Sequence, residues 1–249
     1  MKATILFIAL FIIVSCAAQG KAAGIEVENL ETHQSKVMPV YGAGHAVLYA
    51  MGNAAIYTNY DDAIYAEGDA FPEKRKLTNN YLKTDNAKKE MLLFDIIQEP
   101  FLIKDTYHEF KWNISSETKT TGGYKCIKAT TSYRGRQWTA WFTPQVAIPF
   151  GPWKLHGLPG LIVEAYDAEN EHSYKALKTE FKTSTLFDAA FASLVKTRNK
   201  KPITYQQFLT ERKEMFTNIN LAMQAESRTT ESKDLDIRLG PELKYEWEE

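Results

Sequence analysis

Short apolar groups separated by turn residues dominate the chain from Met38 onward. Val47, Leu48, Tyr49 and Met51 are followed by Ile56 and Tyr57, then by Ile64 and Tyr65, with Gly42, Gly44, Gly52-Asn53 and residues 59–62 between them. That spacing predicts a meander of antiparallel strands. Residues 71–89 are charged and contain Pro72, and read as an exposed connection. Residues 91–97 form an apolar strand interrupted by Asp95. After them His108, Phe110, Trp112 and Ile114 alternate with Glu109, Lys111 and Asn113, the period of a sheet with one dry face. Gly122-Gly123 supplies a hairpin turn into residues 124–133, and Gly135 turns the chain again into residues 136–143. There Trp138, Ala140 and Phe142 point one way and Gln137, Thr139, Trp141 and Thr143 the other, so each face carries a tryptophan. Either both faces are covered, or one looks into a cavity. Leu161, Val163 and Ala165 alternate in the same manner with Ile162, Glu164 and Tyr166, and residues 172–183 make a further strand.

Beyond Ser184 the period becomes helical. Leu186, Phe187, Ala190, Phe191, Leu194 and Val195 recur at three and four, and a second helix starts at Thr204 with Gln207 three residues on, the arrangement of a capping box. Both helices are expected to cover the sheet. The fold class is therefore mainly β, within α+β: a curved antiparallel sheet of six to ten strands, or a half-open barrel, with two C-terminal helices packed on it. Residues 17–36 lack an apolar face and read as a tether, 37–225 as a single β-rich domain, and 226–249 as an exposed charged tail.

The leader changes the picture of where the protein works. Lys2 precedes an apolar run from Ile5 to Val14, the layout of a secretory signal and too short to span a bilayer as a helix. Residues 1–16 are assigned to it. Ile13-Val14-Ser15-Cys16 has the form of a lipobox, in which Cys16 is lipidated; Cys16-Ala17-Ala18 also suits ordinary signal peptidase, and both readings stand. The protein is expected in the periplasm or at the outer membrane, touching a membrane only through such an anchor. Its 30 basic and 31 acidic residues leave no excess of positive charge for a nucleic-acid partner. Of the two cysteines, Cys126 alone lies in the mature domain, so no internal disulfide forms and stability rests on the core.

The segment Gly151-Pro152-Trp153-Lys154-Leu155-His156-Gly157-Leu158-Pro159-Gly160-Leu161-Ile162 combines turn residues with large apolar side chains. It predicts an ordered, buried connection between two strands, shaped by glycine and proline and held by hydrophobic anchors. No Gly-x-Ser-x-Gly, Walker or dinucleotide fingerprint is present, and Cys126 inside an alternating strand reads as a buried, inert thiol. The five histidines show no metal-ligand spacing. His156 and His172, which could meet across neighbouring strands with Glu164 between them, are the best metal or acid/base constellation on offer. No catalytic residue, metal or cofactor is assigned.

Gly157-Leu158-Pro159-Gly160-Leu161-Ile162 resembles the signature of the GLPGLI family of exported Bacteroidetes proteins. Residues 123–129, 136–143, Ile148-Pro149 and Gly151-Pro152-Trp153 resemble family segments in the same order. The resemblance implies an exported β-rich domain and brings no assigned activity or catalytic residues. By analogy with periplasmic lipoprotein carriers, Trp141, Trp153, His156 and Glu164 are the candidate ligand-binding residues. The reading is non-catalytic binding of an apolar or peptide ligand, a lipid, or an envelope partner protein. A hydrolase using His156 and Glu164, and a purely structural role with the central loop as core plug, are the alternatives.

Overall fold

The computed structural model describes residues 24–34, 41–60, 77–97, 99–182, 201–227 and 240–248, with positions 192 and 196. The leader, including Cys16, lies outside them. The strands are β1 (Gly24–Gln34), β2 (Tyr41–Met51), β3 (Ala54–Tyr60), β4 (Leu77–Asp85), β5 (Glu90–Ile96), β6 (Pro100–Asp105), β7 (Asn113–Thr121), β8 (Tyr124–Tyr133), β9 (Arg136–Thr143), β10 (Leu161–Asp167), β11 (His172–Lys182) and β12 (Ile203–Thr204). They form one open sheet of twelve strands in the order β12-β6-β5-β4-β3-β2-β1-β11-β10-β9-β8-β7. Neighbours are antiparallel throughout except β12, which runs parallel to β6 at the edge.

The expected count of six to ten strands was too low, and the sheet does not close into a barrel. It does curl. β6 is second and β7 twelfth in the order, ten strand intervals apart, yet residues 106–112 alone connect them. A flat sheet would separate those strands by about 48 Å at the usual spacing. Eight chain steps reach only about 26–29 Å. The connector can join its strands only if the two flanks approach one another.

Among the described residues one helix is found with bounds, α1 (Tyr205–Ser227), where two were expected. The segment of the other, residues 186–195, lies outside the described residues except position 192. At the start of α1 the capping box is formed, with the Gln207 amide N–H donating to Thr204 Oγ1 at 3.1 Å and the Thr204 amide to Gln207 Oε1 at 2.9 Å. Tyr205 and Phe208 then bury themselves beside Ile103 of β6.

Three further assignments are corrected. Residues 24–34, read as part of a tether, are β1, seventh of the twelve strands, because Ile25 and Val27 share their buried face with Asn29 and Glu31. Residues 77–85, read as connection, are β4. The alternating segment from His108 to Trp112 is not a strand but the connector itself, and its rings pack against Tyr133 and His156.

Two large core clusters result. The first runs from Ile25, Val27, Leu48, Tyr57 and Met91 to Cys126, Trp141, Leu161 and Val163. The second gathers Ala129, Tyr133, Trp138, Phe142, Ile162, Ala165 and Tyr174. Both faces of β9 are therefore covered: Trp138 is 1% exposed and Trp141 7%.

Candidate functional site

Residues 144–160 leave β9 and return as β10, and they are ordered by their own backbone bonds. The amides of Leu161 and Ile162 donate to the carbonyls of Val146 and Phe150, each at 3.0 Å, and Gly157 N–H donates to Pro149 O at 2.9 Å. Val146 and Phe150 belong to the first core, Leu155 and Leu158 to the second, and Trp153 packs against both. Each such apolar side chain contributes about 1.5–3 kcal/mol on burial, so the loop welds the two cores together. Trp153 sits at φ 51°, a left-handed conformation unusual for a side chain of its size. Gly160, at φ 155°, is required by close approach: a Cβ there would lie 2.1 Å from the Thr143 carbonyl oxygen.

Between Trp153 and Leu155 the loop turns Lys154 into the protein, where it is 1% exposed. Its Nζ donates to Asp105 Oδ2 of β6 and to Glu242 Oε1, each at 2.6 Å. Arg134, in the β8–β9 turn, donates to Asp105 through Nη2 at 2.6 Å and Nη1 at 3.1 Å, and Nη1 also pairs with Glu242. Tyr205 Oη donates to Glu242 Oε2 at 2.5 Å. Burial alone would pull the Lys154 ammonium down, but Glu242 and Asp105 outweigh it and hold its pKa above the ordinary value. Burial likewise opposes ionisation of Asp105, and Lys154 and Arg134 reverse the sign, leaving its carboxyl below the usual range. The network ties β6 to the β8–β9 turn, so charge rather than a strand ladder joins the two flanks of the curled sheet. Its fourth member comes from the segment read as an exposed tail: Glu242 is 5% exposed.

The four candidate binding residues do not share one site. Trp141 is in the first core, its ring covered by Lys119 Nζ at 4.4 Å from the centroid. Glu164 lies beside it, accepting from Lys119 Nζ at 2.7 Å and Thr121 Oγ1 at 2.8 Å. His156, 2% exposed, has Nδ1 2.9 Å from Lys154 O and its ring against Tyr107 and Phe110, while its carbonyl accepts from Trp112 Nε1 at 2.8 Å. Burial pushes its imidazole below the ordinary value. Trp153 stacks near Tyr133 and Trp138, with centroids 5.7 and 5.6 Å away. The proposed pairing of His156 with Glu164 is not formed: each has its own partners, and Glu164 shares a face with Trp141 while Ala165 beside it faces the second core. Cys126 is 0% exposed, and burial raises its thiol pKa.

His172 pairs instead with His33, directly opposite on β1, with the two Nδ1 atoms 2.8 Å apart. His33 Nε2 lies 3.4 Å from Glu31 Oε2, and Glu31 accepts from Tyr57 Oη at 2.5 Å and Asn59 Nδ2 at 2.6 Å. Burial first, then His33 and Arg136, push the His172 imidazole down to about 4. The signal that would have found this relay is the period-two placement of Asn29, Glu31 and His33 in line with Ile25 and Val27. Among the described residues, no group of three or more His, Cys, Asp or Glu is arranged to hold a metal ion.

Comparison with known proteins sets the loop in context. A family model described as "Protein of unknown function (Porph_ging)" matches residues 132–164, from the end of β8 through the loop into β10. No curated protein matches the chain. Among solved structures, PNGF-II in its C2 crystal form is similar over 76% of this chain at 16% identity with a TM-score of 0.54, and in its P21 form over 76% at 15% with 0.54. The chain spans about a third of PNGF-II, 32% and 33% in the two forms, so the likeness is one of fold over part of that protein. A protein domain from Vibrio parahaemolyticus described as outer membrane lipoprotein-sorting is similar over 71% of this chain and 92% of its own, at 8% identity and a TM-score of 0.33.

Proposed function

We propose that this is an exported cell-envelope protein that binds a partner without catalysing a reaction on it, the partner being an envelope protein or peptide recognised at the outer surface. The observation that carries the reading is the loop of residues 144–160. Val146 and Phe150 lie in the core on one face of β9, and Leu155 and Leu158 in the core on the other. An apolar ligand entering there would have to expel these anchors, at about 1.5–3 kcal/mol each. A rigid scaffold with its inside filled by its own chain presents its surface and edges instead. Export is supported by the leader, with Lys2 before the apolar run 5–14, and attachment to a membrane by the lipobox ending in Cys16. The hydrolase reading is not carried forward, because His156 and Glu164 are engaged in separate contacts.

The test is purification of the full chain from its native envelope, with chemical crosslinking and mass spectrometry of co-purifying proteins, peptides and lipids, and of the mature N-terminus. Enrichment of a defined polypeptide supports the reading. A stoichiometric lipid in place of a polypeptide, or no species enriched over a mock purification, overturns it.

A further inference from the structure

Residues 240–248 lie across the β8–β9 turn as an irregular strap that ends in a turn at 246–247. The amides of Leu243 and Lys244 donate to the Arg134 carbonyl at 2.9 and 3.2 Å, and Arg136 Nε donates to Pro241 O at 2.6 Å. Pro241 and Glu242 are buried, whereas Leu243, Lys244, Glu246 and Glu248 are exposed. Glu246 reaches back to Arg134 Nε at 3.0 Å and Nη2 at 3.1 Å from the rim, where its side chain is 37% exposed. Tyr245 and Trp247 stack on each other, centroids 4.9 Å apart, against Tyr205. One deep anchor, Glu242, flanked by a half-buried aromatic pair and an exposed polar rim, is how a short peptide is held by a folded receptor.

The receptor side is built for such an occupant. Gly135, at φ 84°, leaves the space a side chain would take: a Cβ there would lie 2.9 Å from Leu243 Cβ and 3.2 Å from the Lys244 amide. Arg134 is held at φ 44°, a backbone state that non-glycine residues adopt at a cost and that clusters at binding sites. Without the strap, Arg134 and Lys154 would face Asp105 alone, two cations against one carboxylate in a buried cleft.

We infer that the cleft between Arg134, Arg136, Lys154 and Tyr205 is a docking site for an acidic segment of a partner polypeptide, and that the chain's own strap occupies it until such a segment displaces it. This rests on the preceding reading of the protein as a polypeptide-binding module and names the chemistry of its partner. Selectivity comes from the buried Glu242 position, which demands a carboxylate between two cations. Being part of the same chain gives the strap an advantage over any outside segment, which competes only if it is tighter or locally abundant.

The experiment starts from the full folded chain carrying a protease site within residues 228–239. After cleavage, a dye-labelled peptide of residues 239–249 is added and its anisotropy followed. The expected result is saturable exchange, with the Glu242→Ala peptide weaker by about 100-fold or more, as for removal of one partner of a buried ion pair. A cut protein that unfolds, a strap that stays in place with no exchange, or equal binding of the E242A peptide overturns the inference. Failed exchange beside a polypeptide still enriched from the envelope would sink this site alone. Exchange with no such polypeptide would show a strap that opens for no partner, and would sink both.

Discussion

Lys154 Nζ stands 2.6 Å from Asp105 Oδ2, and both side chains are at most 1% exposed. One belongs to the loop after β9 and the other to β6, eight strand intervals away in the sheet. An ion pair so far from water is costly to assemble and more costly to break, since removing Asp105 leaves two buried cations, Lys154 and Arg134, to share Glu242 as their buried counter-charge. Asp105→Ala is therefore expected to lower stability by about 3–5 kcal/mol. Asp105→Leu with Lys154→Met should lose less than Asp105→Ala alone. Urea unfolding of the two variants beside the parent protein checks the order.

The acid response should fall in two windows. His172, lowered to about 4 in the fold, returns to about 6.5 when unfolded. Between those values the unfolded chain binds the extra proton, so this contribution is complete above about pH 6.5 and drains away as pH falls toward 4. The ring keeps some contact with water, which reduces the effect to about 1–2 kcal/mol. Asp105 acts lower: its depressed carboxyl stabilises above the ordinary carboxylate pKa, and that stability is lost as pH falls through the folded value. Stability measured from pH 8 to 3 should decline in both windows, and His172→Gln should make the upper decline shallower, leaving the share of His156, and should not change the lower one.

The parts of this fold that were legible in the sequence are those whose burial is apolar and local. β9 announced itself through Trp138, Ala140 and Phe142, and the loop through Trp153, Leu155 and Leu158 between turn residues. β1 was missed because Asn29 and Glu31 stand where apolar residues would complete its buried stripe, and their partners, such as Tyr57 for Glu31, come from elsewhere in the fold. The strap was missed for the same reason at longer range. Glu242 is buried only because Arg134 and Lys154 meet it, 108 and 88 residues away in sequence. Conversely, the alternation of His108, Phe110 and Trp112 was real but belongs to a connector lying on rings, which has the period of a strand without its ladder. His156 and Glu164 looked like partners from spacing, yet the register sets Glu164 opposite Trp141 on the other side from Ala165.

Cys126 should be chemically silent in the folded protein. It is fully buried, its Sγ lies 3.5 Å from the Tyr124 carbonyl, and burial raises the thiol pKa, so little thiolate exists at neutral pH. A thiol reagent added at pH 8 should label it at the rate of unfolding, and much faster in urea. Labelling in native buffer at the rate of a free thiol would show that the first core opens readily.

The hexapeptide's second glycine offers the sharpest test of the loop as a rigid weld. At Gly160 a methyl group would lie 2.1 Å from Thr143 O and 2.7 Å from its carbonyl carbon, backbone atoms of β9 that cannot swing aside as a side chain would. The residue also holds φ 155°, which L side chains rarely adopt. Gly52, in the β2–β3 turn at φ 60°, has nothing within 4 Å of the same added atom. Gly52→Ala should thus cost about 1–2 kcal/mol, the backbone penalty alone. Gly160→Ala should cost roughly 3 kcal/mol or more, because β9 and β10 must separate to admit the methyl. Thermal unfolding of the two variants side by side decides it: equal losses would mean that the loop yields, and that the two cores are not joined through it.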